Sequence, residues 1–149
     1  MRAFPRLDAR GLDLSPNYAE RARQQVAPWP HVEILEGQAE ILPLEDASQD
    51  VIVSIYLFHE LPEKTRLEVM REAARVLKPG GAFIIADSLQ FGDNEGLDGI
   101  LEYFPEGFHE PYYKAYLGWD FTPPMKKAGF SLEKTENAFL TKVNVWRKA

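Results

Sequence analysis

Two adjacent residues stand where proton chemistry could be done: His59 and Glu60, which follow the run Val51-Ile52-Val53-Ser54-Ile55-Tyr56-Leu57-Phe58 and precede Pro62. An imidazole or a carboxylate at that point can take a proton from a reacting atom. A lone histidine beside a helix start is more often a hydrogen-bonded structural residue. A second group lies in residues 89–118, where His109, Glu110, Tyr112, Tyr113 and Tyr116 stand among glycines, prolines and the rings of Phe91, Tyr103, Phe104 and Phe108. Rings at that density suit a planar or apolar ligand, or a segment packed over a sheet. The chain has no cysteine and only three histidines, His31, His59 and His109. Disulfides, thiolate nucleophiles and thiolate or histidine-rich metal sites are therefore not expected, and no metal ligand is assigned.

The elements that must position these groups are legible between Gln49 and Gln90. The apolar run 51–58 has the pattern of a parallel strand buried on both faces, interrupted only by Ser54. Pro62 suits the first turn of a helix and Glu63 suits its positive end. Leu67, Met70, Ala74 and Leu77 then recur at helical spacing, widened by Val69, Ala73 and Val76, with Lys64, Glu68, Arg71, Glu72, Arg75 and Lys78 on the other side. Pro79-Gly80-Gly81 predicts a sharp helix end, and Ala82 to Ala86 a second buried strand finishing at Asp87. A strand, helix and strand in that order form a right-handed crossover whose ligands sit beyond the carboxyl ends of the strands. The stretches Tyr56 to Glu60 and Asp87 to Phe91 occupy those ends.

Upstream, Leu7 to Leu14 reads as a strand ending near Asp13. Ser15 and Pro16 then start a helix carrying Tyr18, Ala19, Ala22 and Val26, which stops at Pro28-Trp29-Pro30. Val32 to Leu35 is a further strand closed by Gly37, and 38–48 a loop. Downstream, short helices are expected over 96–104, 111–117 and 121–128, followed by a hairpin of 130–136 and 140–147 turning at Asn137-Ala138.

At 149 residues, with 45% apolar and 27% charged residues, the chain is of ordinary globular composition and reads as a single domain over 1–149, with 89–118 as a lid inserted in it. A net charge of −6 argues against nucleic acid or an anionic membrane surface as partners. No long apolar span or signal-peptide pattern is present, so a cytoplasmic location is expected.

Four strings in order carry a resemblance: Gly11-Leu12-Asp13-Leu14-Ser15-Pro16; Gly37-Gln38-Ala39-Glu40-Ile41-Leu42-Pro43-Leu44; Asp50-Val51-Ile52-Val53; and Arg75-Val76-Leu77-Lys78-Pro79-Gly80-Gly81. With the closing hairpin they span nearly the whole chain. The sequence resembles class I S-adenosylmethionine-dependent methyltransferases of the branch similar to the ubiquinone and menaquinone biosynthesis enzymes. That resemblance implies an α/β Rossmann-like sheet, mostly parallel with an antiparallel C-terminal hairpin. It also implies S-adenosylmethionine as cofactor and a small-molecule methyl acceptor.

By the same resemblance Asp13 accepts hydrogen bonds from the ribose hydroxyls and Leu14 lies against the adenine. Gln38, before Ala39, replaces the acid that usually meets the adenine amino group. Its amide oxygen accepts without charge, which predicts affinity weaker by about 1 kcal/mol. Tyr56 lines the floor under the methionine part. His59 and His109 are the candidate catalytic residues, and Glu60, Gln90, Tyr112, Tyr113 and Tyr116 the candidate substrate contacts.

The family's first strand ends in a glycine-rich turn, and this chain contains no GxG. Arg2-Ala3-Phe4-Pro5 reads as the tail of the family's first helix, so the sheet is expected to be incomplete at the N-terminus. A homodimer could cover the exposed edge. Weak cofactor binding by the 149-residue form is the corresponding expectation, and the alternative function is a non-catalytic interaction module that keeps the fold.

Overall fold

The computed structural model describes residues 7–149, so the expected helix tail at Arg2 to Pro5 lies outside the described residues. The chain divides into two compact units, the first ending at Pro43 and the second running from Leu44 to Ala149.

The first unit is a strand, helix, strand arrangement. β1 (Ala9–Asp13) pairs in parallel with β2 (Val32–Glu36), joined by α1 (Pro16–Val26). The helix begins where the sequence places it. The Ser15 side chain accepts from the Tyr18 N–H, and Pro16 occupies a position whose N–H would have no intrahelical partner. Ala19 is fully buried while Tyr18 is exposed, so the inward stripe is Ala19, Ala22 and Val26 without the tyrosine.

The second unit is a four-stranded sheet in the order β3-β4-β6-β5, with β3 (Gln49–Ile55) parallel to β4 (Leu77–Ser88). β6 (Thr141–Lys148) runs antiparallel to both β4 and β5 (Phe130–Ala138). This is a mixed α/β sheet with the antiparallel closing hairpin that the strings imply. The hairpin turns at Phe139-Leu140, two residues beyond the expected turn, and Phe139 takes a positive φ of 55° there.

α2 (Glu63–Val76) buries Arg66, Val69, Met70, Ala73 and Val76 along one stripe. Phe58, Phe83, Ile85, Met125, Phe130 and Trp146 fill the core of this unit. Burying rings of this size contributes on the order of 1.5–3 kcal/mol each.

Two sequence expectations are corrected. Pro79-Gly80-Gly81 does not end the helix: α2 already stops at Val76, with the Leu77 N–H bonded to the Ala73 carbonyl, and Lys78 to Gly81 lie within β4. The register jumps from Gln49↔Leu77 to Val51↔Ala82, so these residues form an irregular bulge. Gly80 has φ 74°, and a Cβ on Gly81 would lie 2.9 Å from the Lys78 carbonyl and 3.1 Å from that of Asp50. Glycine is needed here for the bulge rather than for a helix cap.

β3, moreover, is not buried on both faces. Ile52 is half-buried and Ser54 buried, whereas Val51, Val53 and Ile55 are 52%, 54% and 67% exposed. Among the described residues β3 pairs with β4 along one edge only, and side chains of alternate parity on a strand point to opposite faces. Only one of those faces is packed.

Beyond β4, α3 (Asp98–Phe108) and α4 (Tyr113–Leu117) each begin two residues later than expected, and α3 carries Pro105 inside it. α5 (Thr122–Lys127) precedes the hairpin.

Candidate functional site

In the first unit the carboxyl ends of β1 and β2 lie side by side, since Asp13 pairs with Glu36 and the Gly37 N–H donates to the Asp13 carbonyl at 3.0 Å. One Asp13 carboxylate oxygen accepts the Ser15 N–H at 2.8 Å. The other has no hydrogen-bond partner among the described residues. Leu14 is 65% exposed, and Gln38, also exposed, follows Gly37 directly. A carboxylate with a free oxygen, an uncovered apolar side chain and a neutral amide oxygen across two neighbouring strand ends fit a nucleoside: the acid for vicinal hydroxyls, the leucine for a base face.

The second unit holds the denser chemistry. Tyr56 leaves β3 with a positive φ of 51°, a conformation that costs a non-glycine residue about 1–3 kcal/mol and persists only where the surroundings enforce it. Here Asp87 enforces it. One of its oxygens accepts the Phe58 N–H at 2.7 Å, and the other accepts the Ser88 N–H at 2.7 Å and meets His59 Nδ1 at 2.6 Å. The reversal at Tyr56 and the 3-10 turn Phe58–Glu60 send Phe58 into the core and bring His59 against Asp87.

A carboxylate only accepts, so His59 Nδ1 carries the hydrogen and the Nε2 lone pair of the neutral ring is left open. The residue is 7% exposed, and among the described residues Nε2 makes no hydrogen bond, with Glu60 Oε1 3.9 Å away. Burial by itself pushes the His59 pKa down. The hydrogen bond to Asp87 and the charges of Asp87, Glu60 and Glu110 outweigh that, and the net shift is upward from 6.5.

Glu110 joins from the loop before α4: ligand atoms of His59, Glu60 and Glu110 lie within 4.8 Å of one another. The rings of Tyr56, Tyr113 and Tyr116 pack edge-on around the imidazole at centroid distances of 6.1, 5.5 and 6.2 Å.

The sequence-predicted substrate contacts thus separate. Tyr113 and Tyr116 are buried and tie α4 to the end of β4: the Tyr113 hydroxyl meets Ser88 Oγ at 2.5 Å, and that of Tyr116 donates to the Ser88 carbonyl at 2.7 Å. Burial pushes both phenol pKa values up. Gln90 is also buried, its amide donating to the Tyr116 and Trp119 carbonyls while its oxygen accepts from Lys142. Both polar atoms of that side chain take part in internal bonds, so it braces α4.

Tyr112 is 41% exposed, and the Tyr56 hydroxyl contacts Thr141 Oγ1. His109 caps α3 in a left-handed conformation, is exposed, and no hydrogen bond or ion pair links it to His59 among the described residues.

Sequence reasoning missed Asp87 as a partner of His59, and Arg66 altogether. Arg66 is 1% exposed and donates to the Phe58 carbonyl at 2.9 Å and the Tyr112 carbonyl at 3.1 Å, between the rings of Tyr116 and Trp119. Burial pulls its pKa down, opposed by the nearby Tyr116, Asp87 and Glu63. Its place on the apolar stripe of α2, three residues before Val69, was the only sequence signal.

With that geometry in view, comparison with known proteins is direct. The family profile described as "Methyltransferase domain" matches residues 2–85, and the chain belongs to that family, whose methyl donor is S-adenosylmethionine. The sequence is similar to the demethylmenaquinone methyltransferase of Lysinibacillus sphaericus, with 31% identity over 83 residues covering 56% of this chain and 35% of that protein. It is also similar to the arsenite methyltransferase of Halobacterium salinarum, with 36% identity over 93 residues covering 59% of this chain and 23% of the other. The crystal structure of a SAM-dependent methyltransferase from Methanosarcina mazei shares the fold, with a TM-score of 0.69 at 18% identity, over 94% of this chain and 82% of that one. The chain spans about a third or less of the length of these two sequence relatives. Among the described residues no helix is long and apolar enough to cross a membrane.

Proposed function

We propose that this chain carries the donor and acceptor contacts of an S-adenosylmethionine-dependent methyltransferase acting on a small, planar or apolar molecule. The observation that carries the reading is the Asp87-held His59, whose open Nε2 stands at the carboxyl ends of the parallel pair β3 and β4. S-adenosylmethionine supplies a methyl group on a positively charged sulfur that leaves readily, so the chain must align and desolvate rather than form a covalent intermediate. In the first unit Asp13, Leu14, Gln38 and Ala39 are the residues suited to hold the nucleoside.

His59 takes the proton released by the acceptor, with Asp87 fixing the tautomer and steadying the imidazolium. Glu60 and Tyr112 contact the acceptor, and Tyr113 and Tyr116 form the wall behind it. Residues 89–118 close over the site, with His109 at the hinge where α3 ends. A second copy of the chain covers the exposed side of β3. A non-catalytic interaction module has no observation in its favour.

Titration of the isotope-labelled chain with S-adenosylhomocysteine, followed by backbone NMR, tests the donor half even where affinity is weak. The amides of Asp13, Leu14, Gln38 and Ala39 should shift, and Asp13→Ala should weaken binding about tenfold through loss of a charged acceptor. Shifts elsewhere with none at these four overturn the reading. For the acceptor half, His59→Gln should slow transfer of a labelled methyl group about 10²-fold or more.

A further inference from the structure

The acceptor half contains two carboxylates, those of Glu60 and Glu110, that no lysine or arginine among the described residues meets. One carboxylate oxygen of each and one ring nitrogen of His59 lie within 4.8 Å of one another, with Glu60 Oε1 3.9 Å from Nε2. Arg66, the buried cation of this region, bonds through Nε and one terminal nitrogen to the Phe58 and Tyr112 carbonyls and pairs with neither glutamate. The His59 side chain is 10% exposed, and its Nε2 has no hydrogen bond among the described residues.

We propose that Glu60, Glu110 and His59 form a recognition site for an amine nitrogen, so that the methyl acceptor is a primary or secondary amine on an apolar or planar body. This rests on the methyltransferase reading above and narrows it.

The physical selection is by charge. An acceptor that reacts as an anion, such as a phenolate, thiolate or enolate, meets two carboxylates and is disfavoured as like charge. A neutral amine becomes positive as it reacts. Its lone pair forms the new N–C bond, the bond from the methyl carbon to sulfur breaks with its electron pair staying on sulfur, and the positive charge passes to nitrogen. The two carboxylates face that developing charge, which is where fixed opposite charge lowers a barrier most. The surplus N–H proton then passes to His59 Nε2, and the tyrosine rings around the imidazole suit the cation's apolar body.

The test is binding, and it needs no donor. Benzylamine, protonated at pH 7.5, and benzyl alcohol, its neutral counterpart, are titrated into the whole chain by NMR. Benzylamine should shift the amides of His59, Glu60, Glu110 and Tyr112 and bind at least tenfold more tightly than the alcohol. The double variant E60Q/E110Q, altered only at residues that are not fully buried, should lose that preference while retaining the weak binding of the alcohol. Equal binding of the two probes, or a preference that survives in E60Q/E110Q, overturns the proposal. Failure of S-adenosylhomocysteine to bind at Asp13 to Ala39 would instead remove the methyltransferase reading, and the two results are read from different amides.

Discussion

At the scale of single residues, the site turns on one buried hydrogen bond. Asp87 bonds both to His59 and to the backbone of the turn that carries it, so one carboxylate sets the position and the tautomer of the imidazole. The groups facing His59 are Asp87 from β4, Glu60 from its own turn, Glu110 from the loop before α4, and the hydroxyl-bearing rings of Tyr56, Tyr113 and Tyr116. Because the folded state raises its pKa above 6.5, the stability this residue contributes is fully present below that value. It is lost as pH rises through the raised folded value. Urea unfolding from pH 5.5 to 9 should therefore show a decline in stability above 6.5 that is absent in His59→Gln. A flat wild-type profile would count against the coupling. Proton acceptance has the opposite sign: the neutral ring accepts, so the rate of methyl transfer should rise with pH with a midpoint above 6.5. Glu110→Gln, by removing one raising charge, should move that midpoint downward.

At the scale of elements, α2 does more than cover the sheet. Arg66 reaches from its buried stripe to the carbonyls of Phe58 and Tyr112, joining the turn that holds His59 to the entrance of α4. Arg66→Ala would remove two charge-assisted hydrogen bonds and leave the Phe58 and Tyr112 carbonyls with only their backbone donors, the Leu61 and Tyr116 N–H groups, and should lower stability by about 2–5 kcal/mol in denaturant unfolding. A loss under 1 kcal/mol would mean that water replaces the guanidinium. The bulge in β4 makes a separate prediction. Gly81→Ala forces a Cβ against two backbone carbonyls and should cost about 1–3 kcal/mol, whereas the same change at Gly99, where nothing lies within 4 Å, should not destabilise α3. The starts of α1 and α2 were legible because capping is local: Ser15, Pro16 and Pro62 act on the residues next to them. The end of α2 was misread because Pro-Gly-Gly suits a helix stop and a strand bulge equally, and only the pairing of β4 with β3 selects between them.

At the scale of the molecule, the side of β3 carrying Val51, Val53 and Ile55 leaves three β-branched side chains more than half exposed. A second copy of the chain covering this side would make self-association depend on those residues. Sedimentation velocity should show a concentration-dependent dimer that Val51→Thr, Val53→Lys and Ile55→Thr together dissociate, with stability changing by about 0.5 kcal/mol or less per site. A monomer at every concentration would exclude that partner. In the sequence these residues read as core because an apolar run carries no record of which of its faces is covered.

What the sequence determined by itself is the order of elements, the residues that start α1 and α2, the acid at the tip of β1, and membership of the methyltransferase family, since each depends on neighbouring residues or on strings read in order. Only the tertiary structure decided that Asp87 meets His59 from 28 residues away, that Glu110 completes the acidic pair, that Gln90 takes part in internal bonds, and that Arg66 is buried. These meetings follow from the register that sets Ile55 beside Ala86 and from the docking of α4 on the end of β4, and register is a property of paired strands that no single stretch of sequence contains.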